Sequence, residues 1–152
     1  MNKSPIVIRV FLLLFILILS SSFSFAKDNN VDIQTESFWV ALPPAVAKNT
    51  AGYGVIKNTG NEVDTLIGIH CDAATVMLHK TEIKSGVARM IHIPKIIIEP
   101  HSKLVLEPMS YHLMFSKLSK RFFTEGNKIS LQLEFEKSGI TEVKLPVRTA
   151  WQ

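Results

Sequence analysis

Apolar and polar residues alternate one by one along short stretches of this chain, and this pattern restricts the folds open to it more than any other feature. The alternation is unbroken over residues 129–135 and returns over residues 143–147, with turn residues at 137–139 between them. A two-residue period sends one face of a strand into a core and the other into water, whereas a helix needs apolar residues every three or four positions. The chain is therefore predicted to form β-strands.

Turn residues divide the rest of the chain into further stretches of strand length. The other predicted strands are 37–42, 52–58, 65–70, 75–81, 87–93, 103–106 and 111–116. Only residues 118–123 have the pattern of a helical turn. Short strands at this spacing predict a single all-β domain, an antiparallel sandwich or barrel.

The first 26 residues are predicted to be a signal peptide rather than part of the fold. Two basic residues precede an apolar run at 10–19, and small residues stand at Ser24 and Ala26. A run of this length is too short for a membrane-spanning helix, which needs about 20 residues. We expect cleavage after Ala26 and export of residues 27–152 to the periplasm as one domain. Retention of the segment as an uncleaved anchor stays open as an alternative.

The charge and the cysteine content of the predicted mature chain argue against several classes of protein. The net charge of +4 falls to +2 without the two basic residues of the signal peptide, and no basic run interleaved with aromatic residues occurs, so nucleic acid is not an expected partner. Cys71 is the only cysteine, so neither an internal disulfide nor lipid attachment near residue 26 is expected. Neither G-x-S-x-G nor H-E-x-x-H occurs, and the chain is not predicted to be an enzyme.

Two histidines and two methionines stand where three strands can bring their donor atoms together: His79, Met90, His112 and Met114. Bulky side chains occupy the alternate positions around His112 and Met114, so these two residues share the opposite face of their strand. By the same alternation His79 points away from the core in an earlier strand. Met90 lies on the strand that follows it.

The donor atoms of this set indicate copper(I). Thioether sulfur is a soft, neutral donor that favours Cu(I) over calcium, magnesium or zinc, and imidazole binds copper in either oxidation state. Two neutral imidazoles and two thioethers leave the ion with its single positive charge, and no thiolate holds it. The predicted site therefore binds one Cu(I) in a way that suits capture and release.

The H-x10-M-x21-H-x-M spacing, together with its surroundings, resembles the periplasmic PCu(A)C copper chaperones. The likeness extends from about residue 38 to residue 147. The flanking matches are Trp39-Val40, Pro43-Pro44, Ala51-Gly52-Tyr53, Asn58-Thr59-Gly60, Pro108, Tyr111-His112 and Phe135-Glu136-Lys137-Ser138-Gly139. The resemblance implies a cupredoxin-like antiparallel β-sandwich with Greek-key connections. It also implies that the four residues bind Cu(I) for delivery to copper-accepting proteins, either cytochrome c oxidase subunits or another assembly chaperone.

Two features of the chain depart from that family. Members often have a Gly-Gly pair before the Tyr-His, whereas this chain has Met109-Ser110, which changes a turn and adds a thioether near the metal. Met109 is then either a surface residue or a reserve ligand. Some members also have a His/Met-rich tail for a second copper, but this chain ends at Trp151-Gln152, so no tail site is predicted.

Other donor residues leave alternatives open. His92 shares a strand face with Met90 and could replace one of the named histidines, although a solvated surface histidine is the simpler interpretation. Met77 shares the outward face of His79 and is expected to pack rather than to bind metal. Cys71 raises the alternative of a cupredoxin-like redox protein or a copper enzyme, but blue-copper sites join Cys, His and Met on one late loop, and a buried free thiol is expected instead.

Overall fold

The computed structural model describes residues 30–149, and most of their regular structure is β-strand. The ten strands are β1 (Ile33–Ala41), β2 (Asn49–Asn58), β3 (Asp64–His70), β4 (Thr75–Lys84), β5 (Val87–His92), β6 (Ile96–Ile98), β7 (Ser102–Leu106), β8 (Tyr111–Ser116), β9 (Lys128–Phe135) and β10 (Gly139–Arg148). A 3-10 turn at Lys120–Phe122 is the only helical element of this range, and the range has no helix of the length and apolarity that crossing a membrane requires. The predicted signal peptide, its cleavage site and the C-terminal Trp151-Gln152 lie outside the described residues.

Every stretch predicted as a strand overlaps an observed one, and the predicted helical turn contains the 3-10 turn. The structure adds β6, whose three consecutive isoleucines hide any alternation and which pairs only with β3 at the sheet edge. It also extends β1 back to Ile33, beyond a bulge between Glu36 and Trp39 where Ser37 has a φ of 53°. The bulge interrupts the two-residue period, which explains why the first half of β1 escaped the prediction.

All ten strands belong to one sheet with the order β5-β4-β8-β7-β2-β1-β10-β9-β3-β6. Only the pairs Val40–Val147 and Ala41–Arg148 join β1 to β10. The sheet folds over at this short junction, so its two halves face each other, and β3 of one half contacts β4 of the other. This is the two-layer packing of a β-sandwich.

The inward residues of both halves form one hydrophobic core, as the alternating pattern predicts. The fully buried members include Val40, Ile56, Leu113 and Phe115 from one half and Leu131, Leu133, Leu145 and Val147 from the other. The two halves of the sheet therefore pack on one shared core.

The sandwich is antiparallel as predicted, except at two pairings of neighbouring strands. β1 and β10 run parallel, and so do β7 and β8 at the pair Leu106–Tyr111. The second case follows from β2, because β8 pairs antiparallel with its first half and β7 pairs antiparallel with its second half. Two strands that are both antiparallel to a third must be parallel to each other. All other pairings are antiparallel.

A buried carboxylate holds the turn between β9 and β10 against the start of β3. Asp64 is 1% exposed and accepts hydrogen bonds from the backbone N–H groups of Thr65 (2.7 Å), Lys137 (2.9 Å) and Ser138 (3.0 Å), and from the Ser138 hydroxyl. Burial by itself raises the pKa of Asp64, but the hydrogen bonds from Ser138, Lys137 and Thr65 together outweigh it and hold the pKa below its usual value.

Candidate metal centre

Three histidines form a row across the neighbouring strands β5, β4 and β8. Leu78 and Leu113 point into the core, so their chain neighbours His79 and His112 lie on the opposite face of the sheet, as predicted. His79 is directly opposite His112 on β8 and directly opposite His92 on β5. The ring centroid of His79 is 6.0 Å from that of His112 and 5.8 Å from that of His92. The row therefore contains the two predicted ligand histidines and one that the sequence interpretation set aside.

The imidazole of His112 is held in one tautomer by the backbone. The ring is 5% exposed, and its Nδ1 lies 3.1 Å from the carbonyl oxygen of Ser110. A carbonyl oxygen can only accept, so Nδ1 has the proton and Nε2 keeps its lone pair. In metal-binding histidines, the ring nitrogen that does not bind the metal usually donates its N–H to a partner of this kind. This hydrogen bond fixes the orientation of the ring and makes the ligand more basic.

The imidazole of His79 contains an unpaired buried nitrogen. Among the described residues, no hydrogen-bond partner reaches its Nδ1, which is closed to solvent. Burial lowers the pKa of His79, and the neighbouring His112 and then His92 lower it further. A histidine kept neutral in this way has a lone pair available for a metal ion near pH 7.

The two predicted methionines approach the histidine pair from different strands. Met114 follows His112 by two residues on the same face of β8, whereas Met90 lies on β5 opposite Thr81. Met90, His112 and Met114 line one cleft of about 360 Å³, and Met90 is 59% exposed. His79 is not part of that lining and adjoins it through the ring of His112. Three of the four predicted ligands thus share a cleft, and the fourth lies next to it.

The lining of this cleft contains no charged side chain. Its members are Asn49, Thr50, Ala51, Tyr53, Thr81, Met90, Pro108, Met109, His112 and Met114. Burial raises the pKa of Tyr53, so its phenol is uncharged near pH 7. A neutral lining with thioether and imidazole donors suits a soft monovalent cation better than a divalent one, whose larger charge would be desolvated without compensation.

The turn before β8 has the unusual residue predicted to change it. The carbonyl of Glu107 accepts a hydrogen bond from the Ser110 N–H at 3.3 Å, with Pro108 and Met109 at the two corners. Met109 has a φ of 63°, a left-handed conformation that glycine adopts more readily. Its side chain is 63% exposed and lines the cleft beside Met114. The turn forms without glycine and adds a third thioether to the rim.

The lining of the cleft does not include His70, His101 or Cys71. His70 lies 3.0 Å from Glu134, and His101 lies 3.0 Å from the side-chain oxygen of Asn61. Cys71 is partly buried in the turn before β4, and burial raises the pKa of its thiol. Within residues 30–149, no three His, Cys, Asp or Glu side chains are grouped in a way that could hold a metal ion. A centre with three or more protein ligands on this face therefore needs methionine sulfur.

Two further residues on this face lie beside the predicted ligands. His92 was expected to be a solvated surface residue, and it is exposed, but it also lies next to His79. Met77 was expected to pack, and it lies directly opposite Met114. The available sequence signal was the repeated two-residue spacing: each of the three strands carries one histidine and one methionine two positions apart.

Comparison with known proteins gives both family and structural matches. A family model described as LpqE-like matches residues 33–147. A protein of Leifsonia xyli subsp. xyli (strain CTCB07) named "Putative lipoprotein Lxx21020" is 32% identical over 118 residues, which cover 76% of this chain and 69% of that protein.

The solved structures similar to this chain include PCuAC domains. The apo PCuAC domain of PmoF2 superposes with a TM-score of 0.66 at 22% identity and covers 81% of this chain and 95% of that one. The structure of CuI-DR1885 from Deinococcus radiodurans has a TM-score of 0.66 at 23% identity and covers 86% of this chain and 88% of that one. At these identities the likeness concerns the fold. It confirms the cupredoxin-like all-β class and the resemblance to PCu(A)C domains, while the ligand positions stay a prediction.

Proposed function

The chain belongs to the LpqE-like family, and from this premise we propose that it is an exported carrier of copper(I). One Cu(I) binds through two imidazoles and two thioethers, supplied by His79, Met90, His112 and Met114. The copper is cargo rather than a resident cofactor: the protein takes it up in the periplasm and passes it to another copper protein.

The observation that most supports this function is the pairing of His79 with His112 beside a neutral cleft lined by methionines. The imidazole of His112 is already oriented by the Ser110 carbonyl. The buried Nδ1 of His79 has no hydrogen-bond partner among the described residues, and a metal ion is one group that could satisfy it. Met90 and Met114 line the same cleft as His112 and add the soft donors that Cu(I) prefers.

Export and the copper cargo draw support from the relatives. The relative from Leifsonia xyli is named as a lipoprotein, a class of exported proteins, and the similar structure from Deinococcus radiodurans is that of CuI-DR1885. The recipients we propose are the copper sites of cytochrome c oxidase subunits, or another assembly chaperone that loads them. The open position of Met90 favours transfer, because an incoming ligand of the recipient can replace an exposed thioether while the histidines still hold the ion.

A carrier fits the site better than a redox protein or a copper enzyme, the alternative functions for such a fold. Blue-copper centres need a cysteine thiolate, and the one cysteine, Cys71, is absent from the lining of the cleft and has a raised pKa. No observation on the described residues favours an enzymatic function, so the carrier is the function that we propose.

Cu(I) affinity of single Met→Leu variants tests the proposed ligands. Leucine nearly preserves volume and removes only sulfur, so folding should be retained. Loss of an outer-shell partner of a metal ligand lowers metal affinity by about 10–100-fold. We expect Met90→Leu and Met114→Leu, which remove ligands, each to lower Cu(I) affinity by more than this, and the double variant to lose tight binding. Met77→Leu is the matched control, since it lies on the same sheet face outside the cleft lining and should bind nearly as the wild type.

X-ray absorption of the loaded protein gives an independent readout of the donor atoms. It should require both nitrogen and sulfur in the first shell of the copper, with sulfur lost in the double variant. A shell of nitrogen and oxygen alone would overturn the proposed ligands. A protein that binds no Cu(I) against a competing chelator would overturn the proposed function itself.

A further inference from the structure

The histidine row continues past the pair that holds Cu(I) in the proposed site. His92 on β5 is directly opposite His79, with ring centroids 5.8 Å apart and planes inclined at 64°. His112, on the other side of His79, is at 6.0 Å with planes at 84°. His79 thus stands between two imidazoles at nearly equal distances, and only one of them belongs to the proposed Cu(I) site.

The two neighbours of His79 differ in mobility and in surroundings. The Ser110 carbonyl fixes His112, which is buried, whereas His92 is exposed on a strand whose six residues are all exposed. No hydrogen bond within the described residues restrains the His92 ring. The ring can therefore turn its nitrogens toward the side of His79 that faces away from His112. The main cost of this rotation is the loss of side-chain freedom.

The spacing of His79 and His92 suits a shared metal ion. Imidazole nitrogens bind copper or zinc at about 2.0–2.1 Å, so two rings on one ion have their centroids from about 4.5 Å apart, at an angle of 90° at the metal, to about 6.3 Å apart at 180°. The observed 5.8 Å falls within that range.

The donor atoms of His79 and His92 favour a different oxidation state of copper from the one that the donors of the cleft favour. The cleft offers thioethers from Met90 and Met114 beside His112, whereas the pair on the other side of His79 consists of two imidazoles, and His92 is open to water. Imidazole and water in a tetragonal arrangement suit Cu(II), which gains little from thioether sulfur.

We propose that His79 and His92 form a second copper site, a two-imidazole site for Cu(II) completed by water. The proposal rests on the proposed Cu(I) site only in that both use His79. One chain therefore holds either Cu(I) through His79 and His112 with the methionines or Cu(II) through His79 and His92, and not both together. This lets the protein take up copper in whichever oxidation state it arrives, with no electron transfer by the protein itself.

Cu(II) titration of the wild type and of His92→Asn, against a competing amino-acid chelator, tests the site. We expect His92→Asn to weaken Cu(II) binding by at least the about tenfold that loss of an outer-shell partner causes, because a ligand itself is lost. The variant should also remove one nitrogen from the electron paramagnetic resonance signal. The same variant should change Cu(I) affinity less than about twofold. His101→Asn is the matched control, because it removes an exposed histidine elsewhere and asparagine tolerates the φ of 54° at that position.

A second experiment tests the shared histidine. Protein preloaded with one equivalent of Cu(I) should bind Cu(II) much more weakly than apo protein. Equal Cu(II) affinity in His92→Asn and wild type, or unchanged Cu(II) binding by Cu(I)-loaded protein, would overturn the second site. If the Met→Leu variants keep full Cu(I) affinity while His92→Asn loses Cu(II), the Cu(I) ligands proposed above are wrong and the second site stands.

Discussion

Replacing Asp64 with asparagine should destabilise the fold without affecting copper binding. The side chain is 1% exposed, and its two oxygens accept four hydrogen bonds, two of them from backbone N–H groups of the turn at 137–138. Asparagine has the same shape but exchanges one acceptor oxygen for an NH2 group. Two donors then lose their acceptor, and the backbone N–H groups cannot accept from the new NH2 group; only the Ser138 hydroxyl can do so, by rotating.

The magnitude follows from the hydrogen bonds involved. Leaving a buried donor unpaired costs about 1–3 kcal/mol, and the charge of the carboxylate strengthens each bond that is lost. For two donors we expect a loss of about 2–5 kcal/mol in the free energy of unfolding, a large share of the about 5–15 kcal/mol typical of a domain. At this chain length the change lowers Tm by about 10 °C or more.

Urea unfolding followed by circular dichroism at pH 7 measures the difference, with the exposed Asp72→Asn as control. The pKa of Asp64 is lowered in the folded state, so its contribution is complete above the unfolded value of about 3.9 and is lost as the pH falls through the lower folded value. The gap between wild type and Asp64→Asn should therefore be constant from pH 7 to about 5 and shrink below about pH 4. A variant within about 0.5 kcal/mol of the wild type at pH 7 would refute the reasoning.

Three further outcomes are expected. Cu(I) affinity should be nearly constant well above pH 7 and weaken below about pH 6, by up to tenfold per pH unit for each competing proton, because His79 and His112 bind only when neutral. The lowered pKa of His79 moves its share of this loss to more acidic pH. An affinity that stays constant in a competition titration from pH 5 to 8 argues against histidine ligands. Met109→Gly should raise the urea midpoint, since the left-handed backbone costs a non-glycine residue about 1–2 kcal/mol and the entropy of glycine offsets only about 0.5–1 kcal/mol; a lower midpoint contradicts this. Gly54→Ala should lose about 1–3 kcal/mol on urea unfolding, because the added Cβ would lie 2.6 Å from the buried Phe38 ring, and an unchanged midpoint means that the ring can move aside.

The sequence by itself was enough to determine the class of the fold and the directions of the strands' side chains. The two-residue period of β8 and β9 needs no tertiary information, because alternation is a local property of an extended backbone. The same period put His112 and Met114 on one face of β8 and His79 on the outward face of β4, as observed. The residue types then indicated a soft metal from the chemistry of their donor atoms alone.

Tertiary structure decided everything that depends on which strands become neighbours. No local pattern states that β4 lies between β5 and β8, so the position of His92 beside His79 and of Met77 opposite Met114 emerged only from the register of these pairs. The parallel junction of β1 and β10 joins residues more than 100 positions apart, which local alternation cannot specify. Burial is likewise a property of the whole fold. His112 is 5% exposed because β2 and the turn with Met109 enclose its cleft, although its strand position alone would have left it facing water.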